Sequence, residues 1–278
     1  MRRICLPILA LLAAAAPPPP GDSRGASPAL TYADAADLAL AAPVAAQVRI
    51  AGAAALKDEQ AAGVPAGLAR FYVEADLVSL IRAPQPLPAR VAYLVDLPRD
   101  ARGKAPKLRK GADFLILAAP VPGRPGELRL VAPDAQIPFT PAEAERLRGI
   151  VREAAAPAAP PSITGIGKAF HVPGAIPGES ETQIFLQTAS GRPVSLSILR
   201  RPGQTPQWAV ALSEIVDEAA APPAPGTLLW YRLACTLPPR LPAQSLGEAD
   251  ADGAAAIEAD YRLVLDRLEP CVRSRRAR

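Results

Sequence analysis

The chain is predicted to be α+β and mostly β: two β-rich domains, each an antiparallel sheet or small barrel followed by a helix. Three observations predict this. Short runs rich in Val, Ile, Leu and aromatics recur in both halves between turn residues. A well-signalled helix closes each set of runs. The stretch "AAAPAAPPS" (154–162), with almost no side chains able to build a core, separates the two sets as a Pro/Ala linker.

The opening "MRRICLPILALLAAAAPPPPGDSRG" has two arginines, an apolar run from Ile4 to Ala16 and a proline cluster. It predicts a secretory signal peptide over residues 1–15, with Ala13 and Ala15 as the small residues before a cut ahead of Ala16. A flexible lead over 16–30 follows. An apolar run of about 13 residues is too short to cross roughly 30 Å of hydrocarbon as a helix, so no transmembrane segment is expected once the signal is removed. No cysteine stands at the cleavage point, which argues against a lipoprotein.

The first domain is placed at 31–153. "TYADAADLALAAP" has helical character, with Thr31 as N-cap and Asp34 three residues on. Strands are predicted over 45–56, 69–82, 89–97, 113–121 and 127–139, joined by short polar connections, a pattern of compact sheets and small barrels. In "FTPAEAERLRGIVREA", Thr140 caps a helix, Pro141 takes its first position and Glu143 completes a capping box. Ala144, Leu147, Ile150 and Val151 then fall on one face, the stripe that docks on the sheet.

The second domain, 163–272, repeats the plan. "ITGIGKAFHV", "ETQIFLQT", "PVSLSILRR", "QWAVALSEIV" and "TLLWYRLACTL" read as strands. Val194, Leu196 and Ile198 alternate with Ser195 and Ser197, as on a half-buried strand. Trp230 and Tyr231 are expected on opposite faces of the last strand. A final helix over about 251–268 carries Ile257, Tyr261, Val264, Leu265 and Leu268 as its inward stripe, with Asp250 or Asp252 as its cap. The basic tail "RSRRAR" (273–278) is expected to be disordered.

Cysteine usage adds a constraint. Cys5 leaves with the signal, and the remaining pair, Cys235 and Cys271, is predicted to form a disulfide in an oxidising compartment. Closing a loop of about 37 residues restricts the unfolded chain by roughly 4 kcal/mol in the entropy model. It pins the closing helix to the sheet.

Charge is less informative than it looks. Asparagine is absent and arginine (26) far outnumbers lysine (5), the codon signature of a GC-rich bacterial genome. The first 25 residues carry three arginines and one aspartate, so the formal +4 of the whole chain falls to +2 without them. The four arginines of the tail account for more than that remainder, leaving about −2 for the folded part. A domain-wide basic footprint for nucleic acid is missing, and a nucleic-acid partner is not expected.

The chain's one histidine, His171, lies in "GKAFHVPGAIPGESETQIFLQT", with Glu179 and Glu181 close behind. "GESET" starts like a nucleophile elbow but has Thr182 where the second glycine belongs, and that glycine permits the strained turn. Glu179 and Glu181, two apart on a strand, are expected to be solvated at the mouth of a hairpin. Two prolines and several glycines between 167 and 178 shape a loop, and shaped loops on rigid sheets carry binding sites. "ITGIGKA" lacks both the earlier glycine and the later hydroxyl of a phosphate loop. "GEADADG" lacks the bidentate closing ligand of a calcium loop. No catalytic residue is assigned, and no metal or cofactor is expected. His171, Glu179 and Glu181 are retained as binding-loop candidates.

"PRDARGKAPKLRKG" (98–111) carries six basic residues and one acidic one. Lys104, Lys107, Arg109 and Lys110 are its binding candidates, for an anionic polymer rather than stacked bases, since no aromatic is interleaved.

Two resemblances follow from these stretches. The C-terminal half, through "ITGIGKAFHVPGAIPGESETQIFLQTASGRPVSLSILRR", "WAVALSEIVDEAA" and "LLWYRLAC", resembles exported proteins of GC-rich alphaproteobacteria; this implies export and supplies no activity. The short helix, five strands and capped helix over about 32–152 are similar to the netrin/tissue-inhibitor type of oligonucleotide-binding-like barrel. Those modules use an N-terminal cysteine cluster that this half lacks, so the resemblance implies barrel geometry alone.

The expectation is a non-catalytic periplasmic or secreted protein that binds an envelope component or protein partner. A hydrolase using His171, and anionic-polymer binding through 98–111, are the rival readings.

Overall fold

The strand order explains how the first half buries its apolar runs. The computed structural model describes residues 30–212, 221–247 and 249–275, so the expected signal peptide lies outside the described residues. The fold is α+β and mostly strands, in two β-rich units. Helix α1 (Tyr32–Ala41) starts at a full capping box: Thr31 Oγ1 accepts from the Asp34 amide, and the Asp34 carboxylate accepts from the Thr31 amide.

Five strands then close into a barrel: β1 (Val44–Ala55), β2 (Leu68–Arg82), β3 (Arg90–Pro98), β4 (Asp113–Pro120) and β5 (Glu127–Leu130), in the order β1-β2-β3-β5-β4 with β4 returning to β1. The β3–β5 pairing is parallel, a departure from an all-antiparallel unit. Its cause is the segment 99–112, which carries the chain from β3 to β4 beside β1, so that the hairpin partner of β4 comes up next to β3. Segment 98–111 therefore crosses an end of the barrel, and its Ala105 and Leu108 pack on the interior. The run 127–139, expected as one strand, breaks at the turn around Pro133 and Asp134 and resumes as β6 (Gln136–Pro138) on the other edge of β4.

Val48, Ile50, Val73, Val91, Tyr93 and Ile116 fill the barrel. Strand β4 is buried on both faces, because Leu115 and Leu117 point outward under α1 and under α2 (Pro141–Ala155). That is why it reads as an unbroken apolar run rather than an alternation. The stripe Ala144, Leu147 and Ile150 docks as expected. Thr140 caps α2 by accepting from the Glu143 amide at 3.1 Å. The Glu143 carboxylate turns to Arg146, at 2.8 Å, instead of completing the box.

The second unit is an antiparallel meander, β7 (Ile163–Pro173), β8 (Ser180–Thr188), β9 (Val194–Arg200) and β10 (Gln207–Ala211), in the order β10-β9-β8-β7. One face is covered by α3 (Leu228–Ala234) and α4 (Ala251–Arg267), whose Trp230, Leu233, Ile257, Tyr261 and Val264 meet Ile166, Ile184, Leu196 and Ile198. Asp250 caps α4 by accepting from the Gly253 amide.

Helix α3 corrects an expectation. "LLWYRLA" was expected as a strand, but Thr227 Oγ1 accepts from the Trp230 amide at 3.2 Å and starts a helix. A short apolar run has no periodicity that separates strand from helix, and leucine and alanine favour the helix once a cap is present. Cys235 is thus a helix C-cap, not a strand end. The expected continuation of β10 through Val216 falls on residues outside those described.

Helix α3 also joins the two units. The Tyr32 ring of α1 meets Trp230 edge to face at 6.1 Å. The Tyr231 hydroxyl donates to Asp37 at 2.6 Å, and the Leu228 amide donates to Glu153 at 2.8 Å. The tail corrects a second expectation. After the Cys235–Cys271 disulfide, residues 273–275 are seated on acidic side chains of the first unit rather than disordered: Arg273 on Asp37, Ser274 on Asp34 and Arg275 on Asp134. Residues 276–278 lie outside those described.

Candidate functional site

The β7–β8 hairpin brings the histidine to a buried carboxylate. His171 and Thr182 are cross-strand partners, on the face turned toward α4. Asp260 sits on the buried stripe of that helix between Ile257 and Tyr261, and neither Asp260 nor Thr182 has any exposed surface (0 % each). The Thr182 hydroxyl donates to Asp260 Oδ2 at 2.5 Å, and His171 Nδ1 lies 2.8 Å from Thr182 Oγ1. Arg200, from β9, donates through Nε to the other carboxylate oxygen at 2.7 Å.

This line fixes proton positions by counting. Arg200 and Thr182 both donate to the Asp260 carboxylate, which accepts from each. Thr182 has one proton and gives it to Asp260, hence at the histidine it must accept. His171 therefore donates through Nδ1 to Thr182 Oγ1. A hydrolytic triad needs the opposite arrangement, an imidazole that takes the proton of an accessible hydroxyl. Here the hydroxyl is sealed and its proton is already committed, so the geometry orients His171 at the hairpin base rather than activating Thr182.

Beyond the base, the hairpin tip is a closed loop. The Gly174 amide donates to the Glu179 carbonyl at 2.7 Å, and the Glu179 amide donates to the Ile176 carbonyl at 2.9 Å. The Glu179 side chain lies over Gly174 so closely that a Cβ there would stand 2.6 Å from Glu179 Cγ, which excludes any other residue without a shift. Glu181 is exposed, as expected, while Glu179 is partly covered. Apolar side chains dominate the hairpin's outer surface: Phe170, Val172 and Ile176 are 52 %, 63 % and 59 % exposed. Phe170 is supported edge to face by Phe185 at 6.1 Å.

The other candidates lie elsewhere. Lys104, Lys107, Arg109 and Lys110 are all exposed on the segment that crosses the barrel end, and none forms an ion pair among the described residues. That segment is held in shape by Asp100, which accepts from the Arg102 and Lys104 amides at 2.9 and 2.8 Å, and by Arg99 on the Leu68 and Gly103 carbonyls. A cavity of about 370 Å³ lies between the units, lined by Tyr32, Arg146, Gly149, Ile150, Glu153 and Gly226. Burial, then Glu153, holds the Tyr32 hydroxyl well above the usual tyrosine range. Among the described residues no group of three or more His, Cys, Asp or Glu side chains is placed to hold a metal ion.

Thr182, Asp260 and Arg200 escaped the sequence reading, although Asp260 had a signal: a carboxylate three residues after Ile257 and four before Val264 stands on the inward stripe. The same holds for the acidic receptors of the tail. In the sequence Asp34 reads only as a cap, and Asp37 and Asp134 carry no motif. No protein family matches the chain, and no curated protein matches it either.

Proposed function

We propose that this chain is a non-catalytic interaction module of the periplasm or extracellular space, and that the β7–β8 hairpin is the surface that meets its envelope component or protein partner. The observation that carries this reading is the set of Phe170, Val172 and Ile176, each at least half exposed on one hairpin. Contiguous exposed apolar side chains mark interaction sites more often than isolated ones do. His171, anchored through Thr182 to Asp260, fixes the base from which they project. The disulfide supports an oxidising compartment. No helix among the described residues is long and apolar enough to cross a membrane.

A photo-crosslinking residue at Ile176, compared with one at exposed Glu145 on α2, tests the reading in envelope preparations. A discrete adduct at 176 that is absent at 145, and lost with Val172→Asp, is expected. Equal labelling at both positions overturns it.

A second reading has its own observation. The four cations at 104, 107, 109 and 110, which form no ion pair among the described residues, stand on a braced segment, while the strand-face arginines Arg49, Arg70 and Arg90 are matched by Asp113, Asp96 and Asp76. This supports binding of an anionic polymer at that end of the barrel. The closed 1-2-3-5-4 strand order is consistent with an oligonucleotide-binding-like barrel, but fold alone assigns no ligand. Retention on heparin that survives removal of 273–278 and disappears when the four cations are neutralised is the expected result. Retention that depends on the tail instead sinks it.

A further inference from the structure

The C-terminal arm closes a ring of contacts through the disulfide. Cys235 caps α3, whose Tyr231 hydroxyl donates to Asp37 Oδ1 at 2.6 Å. Asp37 Oδ2 takes Arg273 Nε at 2.7 Å, and Arg273 lies two residues beyond Cys271, the other half of the bridge. The arm continues from there. Asp34 accepts from both the amide and the hydroxyl of Ser274, at 2.8 and 2.6 Å, and Asp134 accepts from Arg275 at 2.7 Å. The acceptors come from the N-terminal turns of α1 and from the β5–β6 turn, all on the first unit.

Between Leu268, the last buried residue of α4's stripe, and Arg273, the residues Glu269, Pro270 and Val272 are exposed. Cys271 is thus the fixed point in that stretch. Surface ion pairs hold little by themselves, because two long side chains must be ordered for a gain that water largely cancels. A covalent anchor two residues away changes this by raising the effective concentration of the arm at its acidic seat. We propose that the Cys235–Cys271 bridge is the catch of a redox-controlled strap: oxidised, it keeps the arginine arm seated on Asp34, Asp37 and Asp134, and reduced, it frees both the arm and an acidic site suited to arginine-bearing segments.

The chemistry balances with a dithiol reductant. Its thiolate attacks one sulfur of the bridge, a mixed disulfide forms, and the second thiol closes the reductant's own ring. Two electrons and two protons pass to the protein, Cys235 and Cys271 become thiols, and the reductant becomes a disulfide.

Hydrogen exchange of the full mature chain reads the strap directly, because the Ser274 amide is itself a donor to Asp34. Dithiothreitol treatment, with thiol counting to confirm two new thiols, is expected to speed exchange at Ser274 and Arg275 by tenfold or more while Leu115 and Leu117 in the barrel stay protected. Cys271→Ser should reproduce that pattern without reductant. Arg273→Glu with Arg275→Glu should speed the same amides with the bridge intact, and a labelled Val-Arg-Ser-Arg-Arg-Ala-Arg peptide should then bind this variant more tightly than the oxidised parent. Unchanged protection at Ser274 after reduction overturns the proposal. So does loss of protection throughout the barrel, since the bridge would then hold the fold rather than the arm.

Discussion

Thr182 and Asp260, 78 positions apart, share a hydrogen bond of 2.5 Å that is closed to solvent. It ties the middle of β8 to the inward face of α4, with His171 on one side and Arg200 on the other. A carboxylate with no exposed surface is tolerated only when its lone pairs are filled and its charge is matched. Thr182 and Arg200 are the two groups that do this, and His171 reaches the carboxylate only through Thr182.

Asp260→Ala should be the most damaging change in this group. It leaves the Arg200 charge and the buried Thr182 hydroxyl without their acceptor, at a cost of about 3 kcal/mol or somewhat more. Thr182→Val, which keeps the shape but drops one donor, should cost about 1–2 kcal/mol. Guanidinium unfolding of the two variants reads both, and the ranking is the test: a larger loss for Thr182→Val contradicts the arrangement.

The histidine can be examined by a double-mutant cycle. If Nδ1 of His171 donates to Thr182, His171→Ala should destabilise the parent by about 1 kcal/mol or less and should cost almost nothing in the Thr182→Val background. Equal losses in both backgrounds would falsify the hydrogen-bonded line.

What the sequence disclosed follows from the range of the forces involved. Caps and amphipathic stripes are local, so α1, α2 and α4 were legible from Thr31, Thr140 and Asp250 and from spacings such as Ile257, Tyr261 and Val264. Alternation on β9 was legible for the same reason. Helix α3 was not, since it is seven residues long, with Leu228, Trp230 and Leu233 buried and the other four half-covered, too short a run to show a period. The parallel β3–β5 pairing, the seat of Arg273 to Arg275, and the Thr182–Asp260 bond all depend on residues brought together by topology. The candidate site was half visible: His171 and its shaped loop could be singled out, but the groups that fix its proton could not.

Helix α3 should be sensitive at its cap and its large ring. Thr227→Ala removes the acceptor for the Trp230 amide and should cost about 1 kcal/mol. Trp230→Ala opens a void between the second sheet and Tyr32 and should cost about 3–5 kcal/mol. A strand at this position would show no such dependence on Thr227, so thermal unfolding of that single variant discriminates the helix from the strand.

Acid should loosen the seat of the arm, and the sign follows from the carboxylates. For Asp34, burial would raise the pKa, but hydrogen bonds from Ser274, Thr31 and Arg275 outweigh it and hold the group below its ordinary value. For Asp37, burial is likewise outweighed by Arg273 and Tyr231. A carboxylate depressed in the folded state contributes stability that is fully present above its unfolded pKa of about 3.9 and is lost as pH falls through the folded value. The stability difference between the parent and Asp34→Asn with Asp37→Asn should accordingly be constant above about pH 4 and shrink below it. Denaturant titrations at stepped pH measure this. A difference that grows toward acid would mean that these aspartates are protonated, not ionised, where they meet Arg273 and Ser274.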